Sequence, residues 1–307
     1  MNRGLVIKST GSNYEVETSS GEVIVCSIKG KFRTKEIRTT NPISVGDWVL
    51  FENDVKSGPV IYEIEKRRNY IIRKASNLSK ESQIIAANID QVFLIATLVS
   101  PVTTTTFMDR IIATAESFRI PITIFFNKFD LYTELELEQL EDLKLIYTSL
   151  GYSVIAISLK QKGIEEVLNP LLKNKSTLLT GHSGVGKSTF INKIEPSLNV
   201  KTDIISEAHD SGKHTTTFAE MHKLAIGGYL IDTPGVRGFG VIEIEKEEAS
   251  HYFREIFQVS KNCRFNNCLH TNEPHCAVKD AVENGSIAFS RYNSYLSILS
   301  GNEEKYR

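Results

Sequence analysis

Gly181-His182-Ser183-Gly184-Val185-Gly186-Lys187-Ser188-Thr189 fits the template G-x-x-x-x-G-K-[ST] at every defined position. The spacing has a physical cause. Glycines let the backbone curl so that successive N–H groups face inward, making a concavity that binds phosphate oxygens. Lys187 can reach the outer phosphates of a nucleotide, and Ser188 offers a hydroxyl to Mg²⁺. A helix starting here turns the positive end of its dipole toward the same anion. The flanks agree: Ser176-Thr177-Leu178-Leu179-Thr180 reads as a β-strand, and Phe190, Ile191 and Ile194 recur at helical spacing until Pro196. The stretch therefore predicts strand, phosphate-binding loop and helix in succession.

Upstream, Gln91-Val92-Phe93-Leu94-Ile95-Ala96-Thr97 and Ile122-Thr123-Ile124-Phe125-Phe126 are continuous apolar runs, the pattern of strands buried on both faces. The second delivers Asn127-Lys128-Phe129-Asp130 at its C-terminal end, where open α/β sheets bind ligands. Asn-Lys-x-Asp is a guanine-reading pattern. Asp130 is the expected base reader, its carboxylate accepting from the ring N1–H and the exocyclic amine, a donor pair that adenine does not present. Ser158-Leu159-Lys160, after the strand Val154–Ser158, stands where a short segment supports the guanine ring. Between these lie two helices. One is capped by Thr106 with Asp109 ahead of Ile111, Ile112 and Ala115; the other spans 134–150, with Leu137, Leu140, Leu143, Ile146 and Leu150 on one side and Gly151 as its cap.

Downstream of the glycine-rich loop, residues 197–213 read as a polar, flexible loop ending in His214-Thr215-Thr216-Thr217. One of these threonines is expected to complete a Mg²⁺ shell with Ser188 and Asp232; Thr216 is carried as the candidate, the other two remaining open. The strand Gly228–Ile231 ends in Asp232-Thr233-Pro234-Gly235, where Gly235 can sense a γ-phosphate. The base-reading segments thus precede the phosphate loop, and the two switch segments follow it. In an ordinary small GTPase the phosphate loop comes first, so the set is complete but rotated, and the domain is circularly permuted.

Past this domain, Cys263, Cys268, His270 and Cys276 offer four soft ligands within fourteen residues, a set that suits one tetrahedral, closed Zn²⁺ site. The tail 277–307 reads as helical. Cys26 stands apart and is expected to be structural. At the other end, five short β-rich runs between residues 5 and 64, separated by turn residues, match the strand count of an OB-type barrel. Residues 1–80 hold fourteen Lys and Arg against nine Asp and Glu, although the whole chain of 307 residues has a formal net charge of −1. Five of those cations fall in Lys29–Arg38 around Phe32, which reads either as a nucleic-acid-binding loop or as a solvated face. No stretch is apolar over the roughly 20 residues that a bilayer-spanning helix needs, and the N-terminus lacks a signal-peptide core, so no membrane association and a cytoplasmic location are expected.

Taken together, the barrel, Asn127–Asp130, Gly181–Thr189, Gly212–Thr217, Asp232–Arg237 and the cysteine–histidine spacing resemble the bacterial ribosome small subunit-dependent GTPase A family over nearly the whole chain. Two departures are Lys213, where the family often has arginine, and His275, where it usually has glycine. The resemblance implies a monomeric factor that binds the small ribosomal subunit late in its maturation, contacts its rRNA, and hydrolyses GTP to GDP faster when bound there, using Mg²⁺ and one structural Zn²⁺. Val236 stands where Ras-type enzymes place the water-orienting glutamine. Slow hydrolysis by the free protein follows, with the water positioned by His214 or by a ribosomal group; the resemblance favours His214. The expected organisation is an OB-type RNA-binding barrel (1–70), a circularly permuted α/β P-loop GTPase domain (71–240) and a mostly helical zinc-binding domain (241–307). An adenine-nucleotide kinase or ATPase, or an RNA-binding protein with a vestigial nucleotide site, are the alternatives; Lys187, Ser188, Asp232 and Asp130 together argue against decay.

Overall fold

A computed structural model describes residues 2–11, 13–28, 42–54, 58–73, 83–200, 219–232 and 244–301. Five strands come first: β1 (Asn2–Ser9), β2 (Tyr14–Thr18), β3 (Val23–Ile28), β4 (Trp48–Asp54) and β5 (Gly58–Ile64). Their hydrogen-bonded order is β1-β2-β3-β5-β4, and β4 pairs back onto β1, which closes the barrel. Alternating residues of these strands fill it with Val6, Tyr14, Val16, Cys26, Val49, Phe51 and Ile61. Cys26 is fully buried there, and burial pushes its thiol up to about 11, as befits a structural cysteine. Part of the basic bias of this region is spent internally. Arg67 forks onto buried Asp47 at 2.6 and 2.7 Å, Arg68 reaches Asp90 at 2.7 Å, and Arg3 reaches Glu65 at 2.6 Å. The loop Lys29–Arg38 lies outside the described residues.

A two-stranded ribbon that the sequence reading did not anticipate follows: β6 (Tyr70–Arg73) and β7 (Gln83–Ala87). The central unit then alternates β8 (Gln91–Ala96), α1 (Thr105–Ser117), β9 (Ile122–Phe126), α2 (Glu134–Ser149), β10 (Ser153–Ala156), α3 (Ile164–Leu172), β11 (Ser176–Thr180), α4 (Lys187–Ile194), β12 (Glu220–Lys223) and β13 (Tyr229–Asp232). Strands β10-β9-β8-β11-β13 are parallel, and β12 closes the edge antiparallel to β13. Strand β8 shows why the run is continuously apolar. Val92, Leu94 and Ala96 point to the core under α1 and α2, while Phe93 and Ile95 point to the core under α3 and α4. Barrel and sheet are continuous through β1–β12, at Lys8 opposite Glu220, and an ion pair between those side chains at 2.9 Å and one between Lys223 and Glu17 fasten the seam.

The C-terminal unit contains α5 (Arg254–Ser260), α6 (Ala277–Glu283) and α7 (Phe289–Ser300), confirming the helical tail as far as it is described. It docks on α1, and this corrects the reading of that helix. The N-cap is Thr104, whose hydroxyl accepts from the Phe107 N–H, so Thr106 is inside the helix and Asp109 is not part of a capping box. Asp109 is instead fully buried and accepts from Arg291 of α7 at 2.6 Å and from the Tyr147 hydroxyl at 2.8 Å. Arg291 also donates to Glu255 of α5 at 2.7 and 3.2 Å. Burial opposes the guanidinium charge, but the two carboxylates outweigh it and carry the Arg291 pKa above its ordinary value. A second correction concerns α2. Its buried stripe is Leu140, Leu143 and Tyr147, with Leu137 exposed, because Tyr147 must reach Asp109; its capping box is Thr133 with Glu136. Gly151 does follow the helix, at φ +81.

Removing one partner from a buried ion cluster leaves uncompensated charge and costs about 3–5 kcal/mol. Arg291→Met is therefore expected to lower stability by about that amount, read as a lower denaturant midpoint with an unchanged slope; a loss under about 1 kcal/mol contradicts the cluster's role.

Candidate nucleotide site and metal centre

Because β9, β10, β11 and β13 run parallel, their C-terminal ends open on one edge of the sheet, and the segments that follow them meet there. The loop after β11 is held open by geometry only glycine permits. Gly181 sits at φ +146 and Gly186 at φ +110, and a Cβ would collide with the Ile95 carbonyl at the first and with the Asn127 side chain at the second. Lys187 arches back over the loop, its Nζ donating to the carbonyls of Gly181 at 2.8 Å and His182 at 2.7 Å. Burial lowers the Lys187 pKa, and the Asp232 carboxylate counteracts it; Asp232 ends β13 in register with Leu179 of β11, shortly before the loop. Ser188 and Thr189 open α4, and Val185 is buried in the core beneath the loop.

The Asn127–Asp130 segment is tied directly to this cradle. Asn127 is 3% exposed; its side-chain amide donates to the Val185 carbonyl at 2.7 Å, and its side-chain oxygen accepts from the Leu159 N–H at 3.2 Å. One side chain thus joins the ends of β9, β10 and β11. Lys128 takes a left-handed conformation (φ +64) that swings Phe129 and Asp130 outward, and its ammonium donates to the Ser100 carbonyl. Asp130 accepts from the Ser158 hydroxyl at 2.6 Å and faces Lys160 at 3.7 Å. The Ser158 hydrogen bond, aided by Lys160, holds the Asp130 carboxyl below its ordinary range, so it is an acceptor at neutral pH. Phe129 is half exposed beside Tyr132.

The sequence reading brought Asn127–Asp130, Ser158–Lys160, Gly181–Thr189 and Asp232 to this edge, and the structure places all of them there. His214, Thr215, Thr216, Thr217, Gly235 and Val236 lie outside the described residues. Three supports carried no motif. Tyr132 donates to the Asn127 carbonyl at 2.9 Å and accepts from Leu98 N–H at 3.1 Å; the loop 97–103 is clasped by Thr103 on Thr97 at 3.0 Å; and Phe107 stacks on His182 with ring centroids 3.6 Å apart. Thr103 thus braces the loop and Thr104 caps α1.

In the C-terminal unit, Cys263, Cys268, His270 and Cys276 converge, with ligand atoms all within 4.8 Å of one another. Ligands at about 2.3 Å (sulfur) and about 2.0 Å (nitrogen) from a tetrahedral centre stand about 3.8 Å apart for sulfur pairs and about 3.5 Å for sulfur and nitrogen. Cys276 Sγ lies 3.7 Å from that of Cys268 and 3.9 Å from that of Cys263, and His270 Nδ1 lies 3.4 and 3.6 Å from two sulfurs. The cysteines are unbonded to one another, so the cluster suits a zinc ion rather than a disulfide. Burial pushes the Cys268 thiol up to about 12, a penalty that a bound dication inverts. Glu273, which the sequence reading passed over, accepts from Leu269 and Thr271 N–H groups, both at 2.8 Å, and shapes the ligand turn. His275 stands at φ +56, in the left-handed region that favours glycine.

The sequence profile described as RsgA GTPase matches residues 64–242, and the one described as RsgA N-terminal domain matches residues 3–61. The small ribosomal subunit biogenesis GTPase RsgA of Bacteroides fragilis is 52% identical over 307 residues, with 99% of each chain covered. That of Flavobacterium psychrophilum is 51% identical over 308 residues, covering 99% of this chain and 94% of the relative. Among solved structures, YjeQ from Thermotoga maritima superposes with a TM-score of 0.77 at 34% identity, over 98% of both chains. YloQ, a circularly permuted GTPase, superposes with a TM-score of 0.73 at 29% identity, over 98% of this chain and 94% of the other. Fold and site together define a circularly permuted P-loop GTPase with an N-terminal five-stranded barrel and a C-terminal Cys₃His module. The chain belongs to the RsgA GTPase family.

Gly186→Ala combines left-handed strain with displacement of Asn127. It is expected to weaken GDP binding by roughly 30-fold or more, measured by titration with a fluorescent GDP analogue; unchanged affinity contradicts the tie between Asn127 and the loop.

Proposed function

We propose that this protein hydrolyses GTP during late maturation of the small ribosomal subunit, binding the subunit and its rRNA and turning over faster when bound. The observation that supports the nucleotide half of this reading is the Asn127 bridge, which ties the segment carrying Asp130 to the loop carrying Lys187. Asp130, braced by Ser158, accepts from the guanine edge; Leu159 and Lys160 flank the ring beside it; the loop N–H groups and Lys187 hold the phosphates. Ser188 and Asp232, with Thr216 from the first switch, would hold Mg²⁺, which neutralises charge on the transferring phosphoryl group. Gly235 is assigned to γ-phosphate sensing. Val236 has no group that can orient the water, so that role falls to His214 or to a group supplied by the subunit, and the family resemblance favours His214.

The Cys263, Cys268, His270 and Cys276 set is assigned one structural Zn²⁺. All four positions are protein ligands, so the ion's role is to hold the module together. The assignment to the small subunit rests on the family, whose members are named for small ribosomal subunit biogenesis. We further assign a cytoplasmic location, a monomer without membrane association, and domains at 1–70, 71–240 and 241–307; among the described residues no helix is long and apolar enough to cross a membrane.

GTP turnover with and without purified small subunits tests the reading. Supplying a missing transition-state group is worth about 10³–10⁵ in rate; stimulation by the subunit is expected in that direction, and turnover indifferent to it refutes the ribosomal half. Asp130→Asn is expected to cost about 100-fold or more in GDP affinity while folding normally, because an amide cannot accept from both guanine donors. Wild-type protein should carry one zinc per chain by atomic absorption, and Cys276→Ser should lose it; a metal-free wild type that melts identically after chelation refutes the zinc assignment.

A further inference from the structure

Helix α1 is buried on two faces. Phe107, Met108, Ile111, Ile112 and Ala115 enter the core of the GTPase sheet, whereas Ala113 lies in the core of the C-terminal unit. Asp109, Ala113 and Glu116 follow at i, i+4 and i+7, one stripe of the helix, and each meets that unit: Asp109 binds Arg291, Ala113 packs, and Glu116 accepts from Arg254 at 2.9 Å. The other end of the linkage is at the phosphates. Phe107, two residues before Asp109, stacks on the His182 ring at 3.6 Å with 27° between planes, and the His182 carbonyl is one of the two that hold Lys187 Nζ. Burial lowers the His182 pKa, with Lys187 adding to the effect, which favours a neutral ring against Phe107. Beyond Arg291, α7 reaches the cysteine–histidine module: Tyr292 donates to the His270 carbonyl at 2.6 Å and Tyr295 to that of Leu269 at 2.9 Å.

We infer that Phe107 is a positioning residue through which α1 couples the docking of the C-terminal module to the Lys187 cradle, so that nucleotide occupancy and the Arg291 clasp stabilise each other. The inference rests on the nucleotide reading above and adds a second connection to the module, independent of the chain that follows the second switch. The rigid element is a single helix, whose opening turns carry Phe107 against the phosphate loop and Asp109 against the C-terminal unit. A ligand that fixes the His182 backbone through Lys187 therefore also fixes the register of Asp109 against Arg291. Coupling of this kind is reciprocal.

The test is amide hydrogen exchange of residues 289–300 in the full-length protein with and without GDP, beside GDP affinity measured by fluorescence. In the wild type, GDP should slow exchange in α7 by about fivefold or more. Phe107→Leu, which keeps an apolar side chain and removes the stack, should weaken GDP binding by roughly two- to tenfold and, at saturating GDP, abolish the slowing in α7. Phe107→Tyr, which keeps the ring, should restore both. His182→Ser breaks the same contact from the loop side, needs no core substitution, and should reproduce the Phe107→Leu result. Slowing in α7 that persists in Phe107→Leu or His182→Ser overturns the inference, since it routes the coupling elsewhere. Wild-type protein that binds GDP without any change in α7 also overturns it. Failure of the wild type to bind GDP would instead refute the nucleotide reading.

Discussion

The Asn127 side chain is the constraint on which the arrangement depends. Its amide donates to the carbonyl of Val185 inside the phosphate loop while its oxygen accepts from the Leu159 amide, at a position almost closed to solvent. A buried amide left without these partners would lose roughly 1–3 kcal/mol for each unsatisfied group, so the three strand ends are pinned to one another by the cost of separating them. The pin is also why chain order matters so little. Segments after β9, β10 and β11 reach the same edge because the strands are parallel, and the edge is assembled in space whichever segment is synthesised first.

Rotating the order does change what is attached where. The chain leaves the nucleotide domain after β13, and the C-terminal unit returns to lie on α1, the first helix of that domain. Helix α1 consequently has no solvent face over most of its length: residues 106–115 are all buried. A helix apolar on one side and carrying Asp109 on the other would be costly in isolation, and Arg291 and Tyr147 offset that cost by donating to the carboxylate. The barrel is joined on the opposite edge through β1 and β12, so the sheet edge that collects the nucleotide motifs lies in a domain held by a partner at each end.

Most of the site was legible in the sequence because each segment needs particular chemistry at fixed spacing: glycines where a Cβ would strike backbone, a lysine after the curl, an asparagine and aspartate after an apolar strand. The two-sided burial of β8 and the five barrel strands were legible for the same reason, since periodicity reports burial directly. Asp109 was misread because Thr-x-x-Asp is a local pattern, and the groups that decide its role lie 38 and 182 residues away in Tyr147 and Arg291. Tyr132, Glu273 and the Phe107–His182 stack were invisible for a related reason: an aromatic or an acid acting through tertiary contact leaves no spacing to recognise. The ribbon β6–β7 was missed because its strands are only four and five residues long, too short for a burial pattern to stand out.

Competition at equilibrium between GTP and ATP for the wild-type protein, each displacing a fluorescent GDP analogue, tests the central claim most directly. If the rotated segments build one guanine-reading site over the phosphate cradle, GTP displaces the probe at concentrations at least about a thousandfold below those of ATP, as a site built to pair with both guanine donors requires. Displacement by the two nucleotides at equal concentrations would mean that Asp130 does not read the base and would contradict the account.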